Sequence, residues 1–375
     1  MPGLLSNIDP NGLLEYSVVY TDRSLNHMSQ SFQGVMNDVS TSLKGVYNAQ
    51  AVIVVPGGGT YAMEAVARQF ATNQNCLVLR NGWFSFRWSQ IFEMGSIPSE
   101  ETVMKARRVS EGAQAPFAPA DINKVVDMIK TKKPNLVFAP HVETASGIIL
   151  PEDYIRSVAD AVHSVGGMFV LDCIASGAIW VDMEDSGVDI LISAPQKGWS
   201  ASPAFGLVML SPQANEEINK TQSTSFSCDL LKWLQIMQAY ENGAHAYHAT
   251  MPTDAIKRFR DTIMETEEFG FDNACKKQQE LGDKVRALLE NHNINSVSEK
   301  GYQAPGVVVC YTSDKAIHNG SKFTNVGIQI AAGVPLQCDE GDDYQTFRLG
   351  LFGLDKLKDV DAAVKRLEDA LNQVI

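Results

Sequence analysis

Six short apolar runs, each closing within a few residues on a polar or glycine-bearing loop, constrain the fold of this chain more than any other feature. They lie at 51–55, 76–79, 135–139, 168–171, 190–193 and 205–210. Most are continuous rather than alternating and carry β-branched residues, the pattern of strands covered on both faces. Helical periodicity fills gaps between them, at 60–71, 119–130 and 151–165. Strand and helix in alternation predict an α/β fold: a mostly parallel, doubly wound central sheet with right-handed crossovers.

The two ends differ from this middle. The first thirty residues read as irregular, with a turn at Asp9-Pro10-Asn11-Gly12. After about residue 250 a long charged helical stretch, 253–291, leads to a strand-like piece at 306–311. The chain closes on a helix over 357–374, with Leu357, Val360, Val364, Leu367 and Leu371 on one face. At 375 residues the chain exceeds one small core. We expect an N-terminal segment (1–30), a large domain (31–255) and a smaller C-terminal α+β domain (256–375).

Composition narrows the partners. A net charge of −13 argues against a nucleic-acid surface but leaves room for a local cationic pocket. No apolar run is long enough to span a bilayer, and no basic-then-apolar leader opens the chain. The six cysteines (76, 173, 228, 275, 310 and 338) are scattered without a CxxC pair, which fits reduced thiols. A cytoplasmic protein without membrane or nucleic-acid partners is the expectation.

The chemistry gathers at strand ends. The run 168–171 stops at Asp172, and the run 190–193 empties into Ala194-Pro195-Gln196-Lys197. The interval of 25 residues (197 minus 172) fits one helical crossover between parallel strands. An acid and an amine so placed suit pyridoxal 5'-phosphate (PLP): the amine forms a Schiff base and the carboxylate pairs with the pyridinium nitrogen. Taken singly, Asp172 is as well a turn residue and Lys197 a solvated loop lysine. Their order, with a glycine turn upstream, favours the cofactor.

Other segments add candidates. Pro56-Gly57-Gly58-Gly59-Thr60 opens a helix, where it forms either a cradle for one phosphate or a plain tight turn. It matches neither G-x-G-x-x-G nor Walker A, which argues against a nicotinamide dehydrogenase. Asn81-Gly82-Trp83-Phe84-Ser85-Phe86-Arg87-Trp88 offers aromatics for a flat cofactor or for the core. In Pro140-His141-Val142-Glu143-Thr144-Ala145-Ser146-Gly147 the polar groups meet a cofactor hydroxyl or cap a turn, and His141 is equally a satisfied core histidine. Arg348, among apolar neighbours, suits a substrate carboxylate or a structural salt bridge. Elements that follow strands collect on one sheet edge, where α/β ligand sites form.

In order and spacing these segments resemble the class V aminotransferases of the alanine–glyoxylate and serine–pyruvate group, from about residue 50 to the C-terminus. The resemblance implies the fold type I PLP-dependent transferase architecture. It implies that Gly58, Gly59 and Thr60 form the phosphate-binding turn and that Phe84 stacks on the pyridine ring. Thr144 then stands near the phenolic oxygen, Asp172 pairs with the ring nitrogen, and Ile174 lies against the ring. Gln196 and Lys197 match the family's Q-K pair, Lys197 being the Schiff-base residue. Tyr247 and Thr250, in Tyr247-His248-Ala249-Thr250-Met251-Pro252, are implied to reach the phosphate of a neighbouring subunit's cofactor, hence a homodimer with shared active sites. Arg348 is implied to hold the substrate α-carboxylate. The implied reaction moves an amino group from a small alanine- or serine-like amino acid to a small 2-oxo acid, pyruvate or glyoxylate, by a ping-pong mechanism.

The chain also departs from the pattern. The usual P-G-P opening is absent, Ser85 stands in place of a glycine, and Gly198-Trp199 come after Lys197 where small or aliphatic residues are common. A competing reading is a PLP-dependent lyase or cysteine desulfurase using Cys338, although desulfurases stack a histidine where Phe84 stands. A relative that binds without catalysing is opposed by the intact Asp172, Lys197 and Arg348.

Overall fold

Seven strands form the main sheet of the computed structural model, which describes residues 5–375; residues 1–4 of the N-terminal segment lie outside the described residues. The strands are β1 (Ala51–Pro56), β2 (Asn75–Arg80), β3 (Glu100–Lys105), β4 (Leu136–Pro140), β5 (Met168–Asp172), β6 (Ile190–Ser193) and β7 (Phe205–Leu210). In space they run β1-β7-β6-β5-β4-β2-β3. Neighbours pair in parallel except at β7, which is antiparallel to both β1 and β6. Every residue of β4, β5, β6 and β7 is buried, as continuous apolar runs require when helices cover both faces.

Strand β3 was not among the expected runs. Its sequence, Glu-Glu-Thr-Val-Met-Lys, is exposed at one end and half-buried after, because it forms the edge of the sheet, where charge blocks further pairing. Helix α1 (Gln30–Tyr47) also lies where no element was expected. Ser29 caps it, its hydroxyl accepting from the Phe32 N–H at 3.1 Å. Its stripe of Phe32, Val35, Met36, Val39 and Leu43 is buried. Helices α2 (Gly59–Phe70), α3 (Trp83–Gly95), α4 (Ile122–Lys132) and α5 (Glu152–His163) come after β1, β2, β3 and β4.

The charged stretch 253–291 is two helices, α6 (Thr253–Phe269) and α7 (Phe271–Asn291). They break at Gly270, whose φ of 90° a side chain would resist. The main core runs on to Ile256, Phe259 and Ile263 of α6. A second core takes in Ala178 from the loop after β5, Ala274 and Leu281 of α7, Phe347 and Leu371. It backs a three-stranded antiparallel sheet of Val307–Tyr311, Thr346–Gly350 and Ala331–Ala332, with the closing helix α8 (Val360–Val374).

A third apolar cluster joins the two. It packs Phe117, Val142 and Ile148 with Val307, Val309 and Leu336. Burying each such side chain contributes roughly 1.5–3 kcal/mol, so the seam holds the strand of Arg348 against the carboxyl edge of the large sheet. Among the described residues no helix is long and apolar enough to cross a membrane.

Candidate active site

Strands β5 and β6 lie side by side in register, with Ile192 opposite Asp172. The loop after β6 therefore starts beside the carboxyl end of β5 and carries Lys197 past it. The crossover between the strands is mostly loop, with a single helical turn at Met183–Ser186. The residues that a longer helix would have used instead meet the glycine turn (Ile174), touch the Lys197 loop (Gly177) or pack half-buried against Trp199 (Trp180).

The loop is held tightly. A Cβ on Gly198 would stand 2.0 Å from the carbonyl oxygen of Gly177, so only glycine lets the two loops touch. Trp199 is buried, its ring 4.5 Å from that of Trp180 and T-shaped against Tyr47 and Phe259. The unusual Gly198-Trp199 pair thus anchors the lysine loop to the core.

Lys197 is half-buried, its Nζ 5.7 Å from the Phe84 ring centre and 5.8 Å from that of Phe352. Burial pulls its pKa below the usual amine value; Asp172 and Glu143 oppose this, while Arg348 and Arg87 add to it. A depressed amine offers more free base for imine formation. Asp172 is buried, and burial pushes its carboxyl up to about 6, against the Ile174 amide and Lys197. Its Oδ1 accepts from the Ile174 N–H at 2.9 Å.

His141 is a core histidine. It is buried, its Nδ1 lies 2.7 Å from the Ser176 hydroxyl, and burial lowers its pKa to about 4, so the ring is neutral at pH 7.

The glycine turn after β1 closes on the same place. A Cβ on Gly59 would lie 2.6 Å from Ile174 Cδ1 and 3.3 Å from Ala194 Cβ, so glycine allows the turn to meet the loops after β5 and β6. No side chain caps helix α2 at Gly58, which leaves its first amides facing outward for an anion. Arg87 donates from Nη1 to the Thr60 hydroxyl at 3.0 Å, and its Cζ is 5.2 Å from the Phe84 ring. Arg87 ends the Asn81–Arg87 stretch that carries Phe84, at the arginine position of the family motif matched there, but it was given no role from the sequence.

Arg348 reaches in from the smaller sheet. Its Cζ is 5.6 Å from the Phe84 ring. Its Nε donates to the Ala332 carbonyl at 2.7 Å and Nη1 to the Thr144 carbonyl at 3.4 Å. Among the described residues no carboxylate forms an ion pair with it, so the salt-bridge alternative is not realised. Thr144 is buried, and its Oγ1 has no hydrogen-bond partner among the described residues.

The structure thus brings Gly58, Gly59, Thr60, Phe84, Thr144, Asp172, Ile174, Lys197 and Arg348 together. Gln196 is exposed beside them. Tyr247 and Thr250 do not join them. They bond to each other at 3.0 Å, and Tyr247, 54% exposed, packs on His27. Cys338 is buried, its S–H directed at the Arg80 carbonyl at 3.4 Å, and burial pushes its thiol up to about 12.

The model of the class-V aminotransferases matches residues 13–361. The chain belongs to the class-V aminotransferase family. Among curated relatives of this family member, the small subunit of the soluble hydrogenase of Synechococcus sp. (strain PCC 6716) is 24% identical over 357 residues, covering 93% of this chain and 88% of that protein. The alanine–glyoxylate aminotransferase of Callithrix jacchus is 24% identical, covering 92% and 82%. The crystal structure of an alanine–glyoxylate aminotransferase from Nostoc sp. superposes with a TM-score of 0.79 at 21% identity, covering 93% of this chain and 89% of that one. The fold is that of the fold type I PLP-dependent transferases, and this aminotransferase uses PLP.

The residues present suit that cofactor. Thr144 offers an unpartnered buried hydroxyl, and Asp172 is a desolvated carboxyl whose charge a protonated ring nitrogen would offset. The uncapped glycine turn, with Arg87 beside it, suits a phosphate dianion.

Proposed function

We propose that this aminotransferase takes an amino group from a small alanine- or serine-like amino acid and gives it to a small 2-oxo acid, pyruvate or glyoxylate. The observation that carries this reading is Arg348: a partly desolvated guanidinium that has no carboxylate partner among the described residues, 5.6 Å from the Phe84 ring that also faces Lys197. Such a fork beside an amine recognises a compound bearing both an amino group and a carboxylate. The alanine–glyoxylate aminotransferases among its relatives support the choice of substrates.

PLP, when bound, supplies an electron sink for the carbanion that forms at the substrate Cα. Lys197 is the residue that would hold it covalently; displaced by the substrate's own amine, the freed Lys197 amine would take the proton from Cα. Asp172 keeps the ring nitrogen protonated. Gly58, Gly59 and Thr60, with Arg87, would hold the phosphate; Phe84 and Ile174 would contact the ring, Thr144 would meet the phenolic oxygen, and Gln196 would stand next to Lys197. Arg348 orients the α-carboxylate so that the Cα–H bond faces Lys197. Because donor and acceptor share these contacts, they bind in turn, giving a ping-pong cycle.

Tyr247 and Thr250, exposed and away from their own Lys197, serve the phosphate of a second copy, which makes the working unit a homodimer. The unpaired cysteines favour a reducing, cytoplasmic setting. The buried, neutral Cys338 speaks against the desulfurase reading, which needs an accessible thiolate. A donor and acceptor screen, monitored by the cofactor's absorbance change, tests the proposal. Turnover of alanine or serine with glyoxylate or pyruvate is expected; turnover confined to large or non-carboxylate amines would refute it.

A further inference from the structure

Glu143 is fully buried, yet no cation pairs with it among the described residues. Its carboxylate is spent on four donors instead. Oε1 accepts from the Phe84 N–H at 3.2 Å and the Ala145 N–H at 3.0 Å. Oε2 accepts from the Ser85 N–H at 2.9 Å and the Ser85 hydroxyl at 2.7 Å.

Two of these donors are amides of the first turn of α3, which its own helix leaves unpaired. The hydroxyl donor belongs to the residue that replaces the family's glycine. The Ser85 hydroxyl is fully used: it donates to Glu143 and accepts from the N–H groups of Asn81 at 2.9 Å and Gly82 at 3.1 Å. The fit is close. A Cβ on Gly82 would stand 2.7 Å from Glu143 Cγ, so the glycine there admits the carboxylate to the helix end.

Phe84 and Thr144 flank this contact in sequence, one on each side. Thr144 passes the link on, since its carbonyl accepts from Arg348 Nη1 at 3.4 Å. One buried carboxylate therefore ties the aromatic ring, the buried hydroxyl and the guanidinium into a single unit.

We propose that Glu143 is the positioning residue of this site, and that Ser85 is its chain-specific partner: together they fix Phe84 and Thr144 at the cofactor plane. The proposal rests on the PLP-site reading above. Glu143 itself acts through its neighbours. A residue that fixes the ring over the cofactor governs how the cofactor is held and how asymmetric its surroundings are, beyond what it does for the fold. Charge-assisted hydrogen bonds are the strongest available for that task.

The test uses apo-protein refilled with PLP, reading the dissociation constant and the visible-range circular dichroism per bound cofactor, with the thermal midpoint of the apo form as a control. In Glu143→Gln the amide NH2 faces amide N–H donors, so the dissociation constant should rise roughly tenfold or more and the dichroism should change. Ser85→Ala, which keeps three of the four donors to Glu143 but leaves the Asn81 and Gly82 N–H groups without their acceptor, should shift both in the same direction, by roughly threefold in affinity; it carries the test alone if the first variant does not fold. Wild-type affinity and dichroism in Ser85→Ala and Glu143→Gln, with or without a lowered melting midpoint, would overturn the proposal and leave the PLP site standing. A wild-type protein that takes up no PLP would overturn both.

Discussion

Replacing Arg348 with Gln isolates the contact that we assign to the substrate carboxylate. The guanidinium carries five N–H donors. Nε is committed to the Ala332 carbonyl and one Nη1 hydrogen to the Thr144 carbonyl, which leaves three, enough for a two-pronged grip on a carboxylate. Each charge-assisted hydrogen bond is worth about 1.5–3 kcal/mol. Gln ends two atoms short of the Nη groups and keeps only one donor group, near the position of Nε, so the net loss should be roughly 3–4 kcal/mol, or about two to three decades in kcat/KM. The assay is the first half-reaction, monitored by cofactor absorbance, with L-alanine and with ethylamine, which lacks the carboxylate. The alanine reaction should fall by that factor while the slow ethylamine reaction stays within about threefold. An equal loss for both amines, or an alanine reaction that survives intact, would refute the carboxylate assignment.

Three further outcomes rest on the same geometry. Gly59→Ala places a Cβ 2.6 Å from Ile174 Cδ1; relief by moving Ile174 into the ring space should cost about 1–3 kcal/mol and weaken PLP binding roughly tenfold in a fluorescence titration, and an unchanged affinity would remove Ile174 from the ring contact. Cys338→Ala should leave cysteine-dependent sulfide release at background, because the wild-type thiol is buried and neutral at pH 7; sulfide formed by the wild type and lost in the variant would restore the desulfurase reading. His163 lies 2.8 Å from Asp189, a contact that raises the imidazole's pKa above its ordinary value. The protonated ring thus stabilises the fold below about pH 6.5, and this contribution disappears as pH rises through the raised value. His163→Gln should lower the melting midpoint more at pH 6 than at pH 8.5, and an equal drop at both would deny the ion pair.

Much of the site could be read in the sequence because its parts come directly after strands. A run such as Met168–Asp172 announces itself by composition, and the loop after a buried parallel strand is bound to lie at the sheet's carboxyl edge. Asp172, Lys197 and the glycine turn were found this way, whereas Phe84 was singled out among its neighbouring aromatics only by the family resemblance. Glu143 was not, since its meaning depends on Ser85, 58 residues earlier, and a glutamate in a polar loop carries no sign of burial. Phe352 beside Lys197 was hidden for the same reason: the approach of the smaller sheet is a tertiary fact. Strand β3 and helix α1 escaped for local reasons, an edge strand being too polar and a helix before the first strand falling outside the alternation. The break at Gly270 was legible in principle, but a lone glycine in a helical pattern is often tolerated.

Every role assigned around the site depends on Lys197 being the residue that holds PLP. The most direct measurement is to load the protein with PLP, trap the lysine adduct with borohydride, digest, and locate the phosphopyridoxyl mass by peptide sequencing. The predicted result is one adduct per chain, on the peptide carrying Gln196-Lys197-Gly198. An adduct on another lysine, or a Lys197→Ala variant labelled as fully as the wild type, would contradict it.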